Sequence, residues 1–536
     1  MTAAALVQTP LPKPAPEHAG AAAAFVRRAE RALDALCGAS ANPLRQLGAI
    51  GFYLFWLITA TGIWLYVFFD TSLAGAWASV EHLTHGQGRL GGAMRSLHRY
   101  ASDAFVAVMA IHALREWALG RFRGHRRFSW ITGVAPLWLA FASGVTGYWL
   151  VWDELALFVG IGTTEWFGAL PGFGPSLVRN FVADGVMSDR FFSLMAFLHI
   201  GVPLALLAAM WVHVQRLTRP RTSPARAAQA WTFAALVALS AAMPALSMPP
   251  ADAARVAPVL PIDWFYLAPY PAITAGHAAL VWWTCAALTF ALLAAPWIGA
   301  RRRPAAARVD AANCNGCSRC FADCPYEAIA MAPHPRGRGL VAVVAEHACA
   351  SCGICVGACP SSTPFRSGER LVTGIDLPGE PIDALRARLE SGLAGVIGSG
   401  AAAPVVVLGC RHGARVEADG ERVLAWSVPC AAMLPPSFVE YALRAGAGGV
   451  VVAPCPAEDC EFRFGARWAL ERFARAREPR LRAGVPAARV RVFEAAREDT
   501  TRLRERIDAF VAELSHLPPP ALAPARRTRT GDPLHG

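Results

Sequence analysis

The stretch LHRYASDAFVAVMAIHALREWAL, residues 97–119, decides how the first half of the chain is read. It has about the ~20 mostly apolar residues that a helix needs to cross a bilayer, yet it contains His98 and His112. A second stretch, FFSLMAFLHIGVPLALLAAMWVHVQRL at residues 191–217, contains His199 and His213 at the same separation of fourteen. At ~100° per residue fourteen steps make ~1400°, within ~40° of four full turns, so each pair shares one helix face with roughly 21 Å between its members. Ionisable groups inside a span are costly and call for a reason.

Four more apolar stretches surround these two, at about Leu47–Phe69, Ile131–Trp152, Ala230–Met248 and Ile273–Ile298, which predicts six transmembrane spans. Seventeen arginines flank one side of the spans. They are Arg27, Arg28, Arg31 and Arg45; Arg115, Arg121, Arg123, Arg126 and Arg127; Arg216, Arg219, Arg221 and Arg226; and Arg301, Arg302, Arg303 and Arg308. The other side has five, Arg89, Arg95, Arg179, Arg190 and Arg255, so both termini are expected in the cytoplasm and the chain in the inner (cytoplasmic) membrane. The net charge of +12 is thereby largely topological, and nucleic acid is not expected as a partner. A hydrophobic share of 54% against 17% charged excludes a disordered chain. Met1–Gly20 is Ala/Pro-rich without the order of a signal peptide.

With the second and fourth spans running the same way, His98 would face His199 near the outer side and His112 would face His213 near the cytoplasm. That arrangement suits two stacked b haems, each held by two axial imidazoles. Gly48 with Gly62 and Gly133 with Gly147 repeat the spacing of fourteen in the first and third spans. Their missing side chains would let flat macrocycles approach the backbone. His82, His85, His125 and His277 lack the repeat and read as loop or interface residues.

Over about residues 44–217 the chain resembles the cytochrome b family of the bc1 and b6f complexes. The resemblance rests on the two His-x13-His pairs, the paired glycines, Thr146-Gly147-Tyr148 followed by Trp152, Arg190-Phe191-Phe192 before His199, and Pro203 four residues after it. It implies that Arg95 is placed for a haem propionate and that the protein is a homodimer. Pro261-Ile262-Asp263-Trp264-Phe265-Tyr266-Leu267 looks like the family's Pro-Glu/Asp-Trp-Tyr quinol-oxidation motif with one extra residue, which implies that Asp263 exchanges a proton with quinol. The blander reading of that loop is an interfacial aromatic anchor with a solvated Asp. Thr218 stands where the family often has a histidine, and no Cys-x-His pair serves a Rieske centre, so a bc-type cycle within this chain is excluded.

Twelve of the fourteen cysteines fall between Cys314 and Cys460; Cys37 and Cys285 read as packing residues. Cys314-x2-Cys317-x2-Cys320-x3-Cys324-Pro325 is followed by Cys349-x2-Cys352-x2-Cys355-x3-Cys359-Pro360. Three thiolates wrap one corner of a cubane and the fourth cysteine of each run crosses to the other. Cys314, Cys317, Cys320 and Cys359 are therefore expected on one [4Fe-4S] cluster, and Cys349, Cys352, Cys355 and Cys324 on a second. Residues 305–365 resemble bacterial two-cluster ferredoxins.

Beyond Pro404, Val405–Leu408, Val423–Val428, Val450–Val452 and Val490–Phe493 read as short buried strands alternating with helices at Ser437–Arg444, Ala466–Ala476 and Thr500–Leu514, a small parallel α/β domain. Cys410, Cys430, Cys455 and Cys460 follow strand ends, and their spacing leaves a [2Fe-2S] site, zinc or thiol chemistry open. Gly409-Cys410, Val428-Pro429-Cys430, Gly446–Val452 and Cys455-Pro456-Ala457-Glu458-Asp459-Cys460 resemble the delta subunit of methyl-viologen-reducing hydrogenases, which implies one [2Fe-2S] on those four cysteines.

The predicted fold is multidomain: a helical transmembrane bundle, a ferredoxin-like α+β module and a small parallel α/β domain. Its expected parts are a leader (1–43), a di-haem domain (44–217), two further spans with the quinone-motif loop (218–303), the two-cluster module (304–365), a linker bearing an amphipathic helix at Ile382–Leu393 (366–399), the delta-like domain (400–515) and a disordered tail (516–536). No dinucleotide fingerprint, P-loop or nucleophile triad is present. The chain reads as an oxidoreductase linking membrane quinone to a cytoplasmic redox partner, hydrogenase-like, heterodisulfide-reductase-like or a flavoprotein. The alternative is a quinone-independent conduit or anchor for such an enzyme, and a redox sensor is a third reading.

Overall fold

The computed structural model describes residues 20–170, 189–252, 254, 259–263, 265–298, 304–366, 371–400, 402–419 and 421–518, without the side chains of residues 190 and 191. Residues 1–19 of the expected leader, 519–536 of the expected tail, Trp264, and Arg179, Arg190, Arg255 and Arg301 to Arg303 in the orientation count fall wholly or in their side chains outside the described residues, whereas the rest of the leader carries a helix at Ala21–Cys37. The chain divides into two compact units, Met1–Val214 with Arg221–Gly299, and Gln215–Pro220 with Ala300–Gly536.

The first unit is helical: α1 (Ala21–Cys37), α2 (Leu47–Phe68), α3 (Ala76–Glu81), α4 (Gly88–Ala118), α5 (Arg127–Val151), α6 (Glu154–Gly168), α7 (Asp189–Val214), α8 (Arg226–Ala242) and α9 (Ala278–Ala294). Leu54, Phe55, Ala101, Phe105, Ala140, Val145, Leu206 and Met210 bury between the long helices, joined by Tyr266 and Tyr270 from the connection before α9. The outward face is also apolar, with Ile63, Val67, Leu114, Leu204, Trp211 and Trp283 exposed. A surface of that kind suits lipid as solvent.

A helix occupies each of the six apolar stretches, but among the described residues four segments are long and apolar enough to cross a membrane: Pro43–Phe68, Gly124–Val151, Phe192–Val214 and Tyr270–Trp297. The second stretch lies within the 31-residue α4, which carries Arg95, Arg99, Asp103, Arg115 and Glu116. The fifth, α8, has 17 residues and leaves the helix at Met243, just before Pro244; at 1.5 Å per residue it is shorter than the ~30 Å hydrocarbon core. The structure adds α6, which the sequence reading lacked. Trp152 turns the chain in the left-handed region after α5, and Asp153 caps α6 by accepting from the Ala156 N–H at 2.8 Å.

The second unit begins with two small antiparallel pairings, β1 (Arg308–Val309) with β4 (Ile375–Asp376) and β2 (Ile329–Pro333) with β3 (Leu340–Val344). The short helices α10 (Arg319–Ala322) and α11 (Ile354–Ala358) lie between these strands in sequence. A four-stranded parallel sheet follows, in the order β6 (Val423–Val428), β5 (Val405–Cys410), β7 (Gly449–Ala453), β8 (Val490–Val492). Alternate residues serve opposite faces, as the period of two requires. Val406, Leu408, Val450 and Val452 pack with α12 (Ile382–Gly398) and α13 (Pro436–Arg444), while Val405, Val407 and Val451 pack with α15 (Thr500–Ser515). Helix α12, expected inside a linker, buries Leu385, Leu389, Leu393 and Val396 in this core. The last helix of the unit, α14 (Gly465–Phe473), follows the cysteine-bearing loop after β7.

Candidate functional site

In the first unit α4 and α7 bring His98 and His199 together, their ring centroids 6.3 Å apart. Each of the four repeat glycines faces one histidine of the neighbouring helix. A Cβ on Gly62 would lie 2.9 Å from His98 Cε1, on Gly147 3.1 Å from His199 Cε1, on Gly133 3.1 Å from His213 Cε1 and on Gly48 3.8 Å from His112 Cε1. The glycines therefore make room for the imidazoles.

Three of these glycines follow a threonine, a signal the sequence reading passed over. Thr61 Oγ1 donates to the Leu57 carbonyl at 2.8 Å and lies 3.1 Å from His98 Nδ1, which is also 3.1 Å from the Ile58 carbonyl. Thr146 Oγ1 donates to the Ser143 carbonyl at 2.9 Å and lies 3.2 Å from His199 Nδ1. Thr132 repeats the pattern with the Phe128 carbonyl at 2.8 Å and His213 Nδ1 at 3.4 Å. With each hydroxyl proton spent on a carbonyl, the Thr oxygen accepts and Nδ1 donates. That leaves Nε2 with its lone pair, the state an axial ligand needs.

Arg95 donates to Thr84 Oγ1 at 2.7 Å and Ser247 Oγ at 2.9 Å and pairs with Glu81 at 3.6 Å. Asp263 is half-buried rather than solvated. It accepts from Arg99 Nη2 at 2.5 Å, from the Tyr148 hydroxyl, and from the Phe265 N–H at 2.7 Å. Arg99 also pairs with Asp103 at 3.5 Å and lies over the Tyr148 ring at 4.7 Å. Burial opposes the charged form of Asp263, but the hydrogen bonds from Tyr148 and Arg99 outweigh it and hold the carboxyl below the usual carboxylate range. Arg99 and Asp103 were missed, although two charges four apart within a span are a detectable signal.

In the second unit the eight closely spaced cysteines sort into two cavities. Cys324, Cys349, Cys352 and Cys355 line one, and Cys314, Cys317, Cys320 and Cys359 line the other. Burial and the neighbouring Cys359 and Cys317 push the Cys320 thiol up to about 12, and burial with its neighbours pushes Cys355 well above the ordinary thiol value. Thiols packed this way ionise only against bound cations, which fits a cluster-holding donor set.

The remaining four cysteines gather at the carboxyl ends of β5, β6 and β7, all buried. Cys410 Sγ is 3.8 Å from Cys455 Sγ, the Ala466 N–H donates to Cys460 Sγ at 3.3 Å, and a Cβ on Gly465 would meet Cys430 Sγ and lie 3.5 Å from Cys460 Sγ. Among the described residues no three His, Cys, Asp or Glu side chains lie close enough together to hold one metal ion.

Comparison with known proteins matches residues 34–220 to cytochrome b/b6/petB, residues 313–363 to the 4Fe-4S dicluster domain and residues 420–518 to the delta subunit of methyl-viologen-reducing hydrogenase. Cytochrome b6 of Tupiella akineta is 34% identical over 171 residues, 31% of this chain and 78% of the relative. Cytochrome b6 of Chlamydomonas reinhardtii is 31% identical over 171 residues, again 31% of this chain and 78% of the relative. A solved structure described as a hyperthermophilic respiratory Complex III shares 19% identity at a TM-score of 0.39, covering 47% of this chain and 74% of that one. Haem b follows from the first match and iron-sulfur clusters from the second, in a membrane electron-transfer component. The chain belongs, over residues 34–220, to the cytochrome b family.

Proposed function

We propose that this protein is an oxidoreductase of the cytoplasmic membrane that links the quinone pool to a cytoplasmic redox partner. Two b haems on His98 with His199 and His112 with His213, two [4Fe-4S] clusters and one [2Fe-2S] cluster complete the reading. Such groups, when bound, supply one-electron transfer. The chain's own part is to hold them. Thr61, Thr146 and Thr132 keep the proton on Nδ1 of His98, His199 and His213 and aim Nε2 away from the threonine. The observation that carries the cluster reading is the sorting of eight cysteines three-plus-one across two cavities, the crossing that a two-cluster module requires. The [2Fe-2S] assignment to Cys410, Cys430, Cys455 and Cys460 is supported by the hydrogenase-delta match.

Quinone linkage is supported by cytochrome b membership and by the polar group that Asp263, Tyr148, Arg99 and Asp103 form in the helical unit. As an ion-paired carboxylate, Asp263 takes a proton once Arg99 or Tyr148 releases it. Cytoplasmic termini and a homodimer belong to the same proposal, and the partner is a hydrogenase-like, heterodisulfide-reductase-like or flavin-bearing protein.

The test is to add a menaquinol or ubiquinol analogue to the oxidised, detergent-solubilised protein. Reduction of the haem band followed by the clusters supports the reading. Dithionite-reducible haem that quinol leaves oxidised would replace it with the second reading, a quinone-independent conduit or anchor, which the hydrogenase-delta match favours.

A further inference from the structure

Arg472 of α14 is fully buried, with no exposed surface, and its guanidinium reaches three segments that each carry a candidate ligand. Nη2 donates to Asp323 Oδ2 at 2.5 Å, one residue before Cys324. Nη1 donates to the Ala432 carbonyl at 2.7 Å, two residues after Cys430. A Cβ on Gly357, two residues after Cys355, would lie 2.8 Å from Nη1. The same layer joins the two cysteine sites: a Cβ on Gly353 would meet Met433 at 2.7 Å, and one on Gly465 would touch Cys430 Sγ and lie 3.3 Å from Ile354 Cδ1. Asp323 also accepts from Arg477, which is partly exposed and pairs in turn with Glu471 at 3.5 Å, so within this group Arg472 is the fully buried cation.

A fixed cation stabilises a centre in its more negative, reduced form, and it does so more strongly where water is excluded. We propose that Arg472 is a positioning residue that sets the potentials of the two centres it separates, the one lined by Cys324, Cys349, Cys352 and Cys355 and the one formed by Cys410, Cys430, Cys455 and Cys460. The centre lined by Cys314, Cys317, Cys320 and Cys359 shares with it the Gly357 contact alone, two residues before Cys359. The proposal rests on the cluster reading above and adds to it the residue that tunes electron exchange at this junction. Arg472 takes and gives no electron.

The experiment is an EPR-monitored redox titration of the full-length protein, with iron and labile sulfide measured on each sample. For Arg472→Met the expected result is full iron content, with one [4Fe-4S] signal and the C-terminal signal harder to reduce by about tenfold in the one-electron equilibrium, ~59 mV, and the other [4Fe-4S] signal moved less than either. Arg472→Lys should restore most of the shift, and Asp323→Asn should move the same two signals the opposite way. Unchanged potentials in an iron-replete Arg472→Met protein overturn the proposal. So does equal iron loss in the Met and Lys variants, because charge then does not matter and the residue serves packing. A wild-type protein without any cluster signal is a different failure, that of the cluster reading itself.

Discussion

The three Thr-Gly pairs show how little side chain is needed to define a ligand. Glycine clears the imidazole and the preceding hydroxyl fixes its tautomer, so both tasks fall on adjacent residues of the facing helix. Thr146→Val removes the acceptor from His199 Nδ1. It should make that imidazole less basic and raise the potential of one b haem, with a hydrogen bond of about 1 kcal/mol at stake, while the second haem titrates as before. Potentiometry of the b band decides this, and movement of both haems together would count against it. Asp263 shows the other side of residue-level reading. Its carboxyl is held below the ordinary range, so its tie to Arg99 and Tyr148 is complete above about pH 4 and is lost as the pH falls further. Asp263→Asn should therefore retain haem and lower quinol-driven reduction; unchanged quinol kinetics would return Asp263 to a purely structural pairing.

At the scale of elements, periodicity was legible wherever one side of an element is buried and the other is not. The strands at 405 and 450 could be read for a different reason, as short unbroken Val/Leu runs, because a parallel sheet covered on both faces buries every residue, while the helix at Ile382 shows apolar residues at helical spacing. The place of that helix could not: Leu385, Leu389 and Leu393 advertise an apolar face, but only the folded sheet shows what covers it. The π-type turn at Ile273–His277, the αL turn at Trp152 and helix α6 were likewise invisible, since an apolar run in a membrane protein looks the same whether it spans, turns or packs. Two outcomes are expected at this scale. Gly147→Val, whose Cβ would sit 3.1 Å from His199 Cε1, should displace that ring and cost one haem of the pair, read as a lower pyridine-haemochrome yield per protein. Asp376, at the end of β4, accepts from the Ile382 N–H at the start of α12 at 3.2 Å, and burial pushes its carboxyl up to about 6. With the folded value raised above the unfolded one, its contribution is most favourable below about pH 4 and is lost as the pH rises through about 6, a loss of roughly 3 kcal/mol. Asp376→Asn should flatten that part of the stability-against-pH curve, and an unaltered slope would show that another group sets it.

The molecule as a whole consists of two compact units with different solvents, one apolar on its outside and one with a conventional buried core. Stripping iron from the second unit with a chelator under oxidising conditions should lower its melting temperature and leave the haem spectrum intact; simultaneous loss of both would mean that the units do not stand independently. The membrane character, the four histidines, the four glycines and the two cysteine runs were determined by sequence alone, because bilayer thickness, the 3.6-residue helical repeat and the three-plus-one geometry of a cubane leave a period or a spacing in the chain. The threonine hydroxyls at Nδ1, the pairing of Asp263 with Arg99, and the burial of Arg472 between two cysteine sites were decided only by tertiary structure. Each joins residues more than thirty positions apart, and no local rule of spacing constrains a contact made across that distance.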